Sequence, residues 1–260
     1  MTQTHKTINN REGHWILARM GKKVLRPGGK ELTLQMIDKL SISKEDKVVE
    51  FAPGLGFTAN ITLKKEPNSY TGVEINEEAA RILRKKINGS NQKIVVGNAE
   101  ASGLEDNSYT KVYNEAMLTM QSGSKKSAIM REAHRILRPG GLYGIHEIAL
   151  RPDDISDALK TEIKQQLAGA IKVNARPLTA PEWKELLEKE GFEVIETLHN
   201  PFHLLKSGRM IQDEGFMRSL KIFFNILTHP QARKRILQMK KVFRKYEKQM
   251  SAISIIARKK

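Results

Sequence analysis

The stretch "VVEFAPGLGFTAN", Val48–Asn60, sets two valines and an acidic residue directly ahead of Gly54 and Gly56. A β-branched run that ends in a glycine-rich turn and then opens a helix forms a loop whose backbone N–H groups can meet a ligand. Three ligand classes use such a loop. A nucleoside triphosphate loop needs Gly-Lys-Ser/Thr after its spacer, and no such lysine follows here. A dinucleotide loop needs G-x-G-x-x-G/A, which Gly54, Gly56 and Ala59 satisfy. The third class carries positive charge. Glu50, four positions before Gly54 at the expected strand end, repels a pyrophosphate and attracts an ammonium or a sulfonium.

Outward from this loop the chain alternates short apolar runs with helical patterns, which predicts an α/β fold. The expected architecture is a Rossmann-like, mostly parallel sheet of seven strands with helices on both faces. "DKVVEFA" is the first strand, followed by a helix from about Phe57 to Lys65. "YTGVEI" is the second, after which Asn76 caps a helix over "EEAARILRKKI". "QKIVVGNA" and "TKVYNEA" are the third and fourth, the latter followed by the helix "SAIMREAHRIL". "RPGG" is read as a tight turn into a fifth strand, "LYGIHEIAL". Thr179 and Glu182 form a capping box ahead of "APEWKELLEKE", Gly191 ends that helix, and "FEVIETLHN" and "SAISIIARK" are strands six and seven. The expected organisation is a helical N-terminal segment (1–42), a core (43–200), a basic two-helix insertion between strands six and seven (201–250) and the last strand (251–260).

From about Ser43 to Leu150 the chain resembles the class I S-adenosylmethionine-dependent methyltransferases, in the group (methyltransferase type 11) that includes the ubiquinone and menaquinone biosynthesis enzymes. That family ends its first strand in acidic-x-Gly-x-Gly-x-Gly, and here the residues are Glu50-Phe51-Ala52-Pro53-Gly54-Leu55-Gly56. Ala52 replaces the first glycine, which requires its φ to be negative. The resemblance implies S-adenosylmethionine as cofactor. It sets Glu74 on the ribose hydroxyls with Ile75 beside it, Asn98 and Ala99 near the adenine, and Asn114 also among the cofactor positions. It further implies that the N-terminal segment folds over cofactor or substrate, where Arg26 or Arg19 pairs with the cofactor carboxylate. By their residue types, His5 and His14 with Trp15 in that segment either line the acceptor pocket or serve as packing.

Methyl transfer from a sulfonium is an in-line displacement, so positioning dominates and a base matters only for a protonated acceptor. Candidate bases stand at the carboxyl ends of strands four and five: Glu115, and His146 with Glu147. No cluster has metal-ligand spacing, so no metal is expected. The absence of cysteine, of an apolar leader and of any spanning-length apolar run predicts a soluble, cytoplasmic protein.

The net charge of +16 is uneven: residues 201–260 hold 15 Lys/Arg against 3 Asp/Glu, while 47–200 are balanced at 21 each. This leaves two substrate readings. One is a small-molecule acceptor, apolar or anionic. The other is a nucleic acid anchored on the basic tail, disfavoured because "NEAM" stands where amino methyltransferases of nucleic acids carry Asn/Asp-Pro-Pro-aromatic. The same charge suits peripheral contact with an anionic membrane. Two apolar stripes, Phe216-Leu220-Phe223-Leu227 and Ile236-Met239-Phe243-Tyr246-Met250, predict two helices that either cap the acceptor pocket or dock on the sheet's helical layer.

Overall fold

The computed structural model describes residues 12–260. Its centre is a mixed sheet in the order β3-β2-β1-β4-β5-β8-β7. β1 (Lys47–Phe51), β2 (Ser69–Glu74), β3 (Gln92–Val96), β4 (Tyr109–Glu115) and β5 (Leu137–Leu150) run parallel. A two-residue β6 (Leu178–Thr179) pairs with β5. The last strand, β8 (Met250–Lys259), inserts antiparallel between β5 and β7 (Phe192–Pro201). The seven expected strands are thus present. β5 starts at Leu137, ahead of "RPGG", and those residues loop out of the ladder before "LYGIHEIAL": β4 advances two residues, Tyr109 to Lys111, while β5 advances five, Leu137 to Leu142, around Gly140 at φ +75°.

Strand periodicity sends alternate residues to opposite layers. Val49 and Phe51 join Val112, Tyr143, Trp183 and Phe192 on one face, while Val48 joins Met36, Tyr70, Leu83 and Tyr113 on the other. The helices that cover these faces start where local chemistry requires. Asn76 accepts from the Ala79 N–H at the start of α4 (Glu77–Arg84). Thr179 and Glu182 exchange both capping-box bonds at α7 (Ala180–Lys189).

Beyond the sheet's carboxyl edge, α1 (Gly13–Arg19), α6 (Asp157–Ile171) and the insertion between β7 and β8 share a separate apolar cluster. The insertion contains three helices rather than two: α8 (Ser207–Glu214), α9 (Phe216–Thr228) and α10 (Pro230–Lys245). Gly215, at φ +79°, separates the first pair. Of the second stripe, Ile236 and Met239 on α10 are buried, and so are Tyr246, just past its end, and Met250, which is the first residue of β8 and not part of the helix. The α9 stripe does the opposite. Ile222 and Ser219 face inward, and Phe216, Leu220, Phe223 and Leu227 face solvent.

α8 fastens the N-terminal segment over this edge. Glu214 accepts from the Lys23 and Val24 N–H groups at 2.7 and 2.8 Å, and Asp213 accepts from Lys30 N–H at 2.8 Å. Arg209 pairs with Glu31 at 3.0 Å. Gly28 and Gly29 form the turn into α2 (Gly29–Lys39).

Candidate active site

Strand order reverses between β1 and β4, and the crevice outside the carboxyl ends at such a switch point is where open α/β sheets take ligands. A cavity of about 790 Å³ lies there. Its floor comes from the strand ends: Ala52 to Leu55 after β1, Glu74 to Asn76 after β2, and Glu115 to Met117 after β4. Its roof is the N-terminal segment, with His14, Trp15, Leu25 and Arg26. One flank is apolar and built from α6 and the insertion: Leu167, Ile171, Phe202, Leu204, Met239 and Phe243.

The glycine loop works through backbone geometry. Gly54, at φ +60°, lies on the cavity wall, and a Cβ added to it would meet nothing within 4 Å. Its N–H donates to Glu74 at 2.9 Å, and Asn76 N–H donates to the other carboxylate oxygen at 2.8 Å. Burial raises the Glu74 pKa while these N–H bonds oppose the rise. The two elements form an open cradle with a carboxylate at its edge, which suits a vicinal diol held close to the main chain. Ile75, 44% exposed, adds an apolar surface beside it. Gly56, at φ +82°, opens α3 (Phe57–Leu63) and lies off the wall. Its missing Cβ makes room for Leu83, whose Cδ2 would stand 2.6 Å away.

Ala52 takes φ +53°, correcting the expectation of a negative value. Its N–H donates to Val73 O at 2.8 Å, which holds the β1 exit in register with β2. Ala116 after β4 has the same φ of +53°, so the β1 and β4 exits at the cavity are both left-handed alanines. Replacing Ala52 by glycine is expected to stabilise the fold by about 0.5–1 kcal/mol, the relief of left-handed strain less the entropy of a freer unfolded chain. Urea unfolding of the two chains checks this. An unchanged or lower midpoint contradicts it.

Glu50 does not reach the cavity. It shares the face of Val48, so its side chain points into the layer beneath α2 and α3, where Oε2 accepts from Tyr70 at 2.6 Å and Tyr113 at 2.8 Å. Burial pushes its pKa up to about 7 against these hydrogen bonds. The charge argument that favoured a cationic ligand therefore cannot rest on Glu50. Because its folded pKa is raised, its contribution to stability is complete below the ordinary carboxylate value near 4.5 and is lost as pH rises through about 7. Carboxyl NMR is expected to show a Glu side chain titrating near neutrality that disappears in Glu50→Gln. A midpoint near 4.5 contradicts this burial.

Three further expectations are corrected by hydrogen bonding. Asn114 is buried, accepts from the Tyr143 hydroxyl and donates to Glu147 at 3.3 Å. Glu147 is buried as well, and its carboxylate accepts from the N–H groups of Met117, Leu118 and Thr119 at 2.8–3.0 Å and from Thr119 Oγ1. It holds the loop after β4 and lies off the cavity wall. His146 is buried off the cavity wall. Its Nε2 accepts from Gly28 N–H at 3.0 Å, which leaves Nδ1–H to donate to Glu115 at 2.7 Å.

Glu115 does line the cavity, yet all its acceptor capacity is taken. Arg26 Nε donates at 3.1 Å, Thr33 Oγ1 at 2.5 Å, and Thr58 and His146 complete the set. Burial pushes its pKa up, but the Arg26 charge and the His146 and Thr33 bonds pull harder and bring it to about 2. It is a permanently ionised anchor for the roof and not a base at neutral pH. Thr33 and Thr58 are ordinary helix threonines in the sequence, and no local signal marks them as its partners.

Asn98 and Ala99 lie off the cavity wall, Asn98 exposed and accepting from Glu100 N–H at 3.0 Å. Arg26 lines the cavity, with its guanidinium 5.9 Å from the Phe57 ring centre, whereas Arg19 is exposed on α1. His5 lies outside the described residues. The imidazole on the wall is His14, whose Nε2 is 3.4 Å from Glu12. Burial lowers its pKa, although the Glu12 charge opposes this.

Comparison with known proteins agrees with this architecture. Residues 49–145 match the family model described as a methyltransferase domain. An uncharacterized protein of Haemophilus influenzae is 36% identical over 251 residues, covering 95% of this chain and 98% of that one. The cyclopropane synthase MmaA2 of Mycobacterium tuberculosis superposes with a TM-score of 0.71 at 13% identity, over 99% of this chain and 96% of the other. Phosphoethanolamine N-methyltransferase 2 of Haemonchus contortus, solved with S-adenosylhomocysteine, gives 0.70 at 15% identity over 95% of this chain and 57% of that one. The glycine loop at the β1 exit, the carboxylate at the β2 exit, the 3-2-1-4-5 sheet with its inserted antiparallel strand and the matched domain lead to one conclusion: the chain belongs to the class I S-adenosylmethionine-dependent methyltransferases.

Proposed function

We propose that the cavity binds S-adenosylmethionine through Gly54, Glu74, Ile75 and Arg26, and that the methyl group passes to an apolar small-molecule acceptor held against the α6 and insertion flank. The observation that carries the cofactor site is the open left-handed Gly54 beside Glu74, a cradle that any side chain at position 54 would fill. The apolar flank supports the acceptor class: Leu167, Ile171, Phe202, Leu204 and Phe243 offer no charge and no hydrogen-bonding side chain. The cofactor, when bound, supplies an electrophilic methyl on a sulfonium.

The chain's own residues position and desolvate. Arg26, locked to Glu115, carries the roof down onto the strand ends, and Trp15 and Leu25 keep water from the flank. Where the acceptor atom arrives protonated, His14 is the imidazole on the wall placed to take the proton.

S-Adenosylhomocysteine at a hundredfold excess over its dissociation constant is expected to stabilise the chain by about 2.7 kcal/mol, and NAD not at all. With labelled S-adenosylmethionine and a cell extract, label is expected in organic-soluble products regardless of nuclease treatment. Label confined to nuclease-sensitive material would establish the nucleic-acid reading instead.

A further inference from the structure

Helix α9 exposes six large apolar side chains to solvent: Phe216, Met217, Leu220, Phe223, Phe224 and Leu227, each between 46% and 76% accessible. At 100° per residue they occupy a sector roughly 120° wide, whereas Ile222 and Ser219, which pack inward, lie on the other side of the helix. Scattered exposed leucines need no explanation, but a continuous aromatic and aliphatic face of this kind marks an interaction surface.

Charge decides what covers it. Residues 216–245, the whole of α9 and α10, carry nine Lys/Arg and no Asp/Glu. Lys221 and Arg218 continue around α9 beyond the apolar sector, and both are exposed. A second copy of the chain would bring one uniformly cationic segment against another, which like-charge repulsion opposes. Nucleic acid would satisfy the lysines but leave Met217, Leu220 and Leu227 without apolar partners. Residues 1–11 of the chain, MTQTHKTINNR, contain only Met1 and Ile8 as apolar side chains and are too polar to serve. An apolar face with Lys221 along one border, Arg218 further round the helix and no acid on either helix fits the boundary between acyl chains and anionic headgroups.

We propose that α9 docks the protein on an anionic lipid bilayer, with Phe216, Leu220, Phe223 and Phe224 entering the acyl boundary and Arg218 and Lys221 at the headgroups. The inner side of the same helix contributes Ile222 to the cluster containing Leu17, Leu204, Met239 and Phe243, which wall the apolar flank of the cavity. Docking therefore sets the acceptor side of the cavity beside the membrane. The docking inference does not depend on the cofactor reading, because lipid binding is measured without cofactor.

The test is co-sedimentation with vesicles of phosphatidylcholine alone or with roughly 30 mol% phosphatidylglycerol, at low and high salt. The unaltered chain is expected to partition at least tenfold more strongly onto the anionic vesicles and to release as salt rises. Combined Leu220→Gln, Phe223→Gln and Phe224→Gln should lower that partition at least tenfold. Arg218→Gln with Lys221→Gln should lower it and flatten the salt dependence. Far-UV circular dichroism and S-adenosylhomocysteine affinity, unchanged in both variants, would separate this result from misfolding. Three outcomes overturn the proposal: no vesicle binding by the unaltered chain; full binding by the triple variant; or a dimer or RNA complex of the unaltered chain, without vesicle binding, that the triple variant loses.

Discussion

Glu115→Ala is expected to destabilise the chain by about 3–5 kcal/mol, the cost of stranding a buried cation once its partner is removed. The carboxylate joins the β4 exit to α2 through Thr33, to α3 through Thr58, to β5 through His146 and to the roof through Arg26. Its pKa near 2 gives the effect a pH signature. A depressed folded pKa stabilises the chain above the ordinary value of 4.5, and this contribution, about 3 kcal/mol for the 2.5-unit difference, is lost as pH falls through 4.5 towards 2. Urea unfolding should therefore separate wild type from Glu115→Gln widely at pH 7 and far less at pH 3. The glutamine variant keeps the volume and some of the hydrogen bonds, so it remains measurable if the alanine variant does not fold. Equal stability of wild type and both variants at pH 7 would remove Glu115 as the anchor of the roof.

Gly54→Val is expected to weaken S-adenosylhomocysteine binding by about 100-fold or more, equivalent to roughly 2.7 kcal/mol. The new side chain would project from a φ of +60° into the space beside Glu74 that the glycine leaves open. Gly56→Val should behave differently. Its Cβ would press on the buried Leu83 of α4, so the loss falls on folding stability and reaches the ligand only indirectly. Calorimetric titration of both variants, beside their unfolding midpoints, separates the two cases. Retained affinity in Gly54→Val would show that the loop holds no ligand.

The strands were legible because their signals are local. Alternation, the Asn76 cap and the Thr179–Glu182 box each act within a few residues. The orientation of Glu50 was legible in principle too, since it stands two positions from Val48 and must share its face; placing it at the strand end obscured this. At Ala52 the family's glycine was itself the signal of a left-handed position. His146 and Glu147 looked like bases at a strand end because their partners, Glu115, Gly28 and the 117–119 loop, lie far off in sequence. α8 is short and polar, with no apolar stripe to reveal it. α9 carries apolar residues on more than one side, and only the packing of Ile222 shows which side is covered.

A crystal structure of the chain with S-adenosylhomocysteine would test the central claim most directly. The account predicts the ribose hydroxyls within hydrogen-bonding distance of the Glu74 carboxylate, with the ligand against the Gly54 main chain and the apolar flank left for the acceptor. Ligand density elsewhere, or a ribose that makes no contact with Glu74, would contradict it.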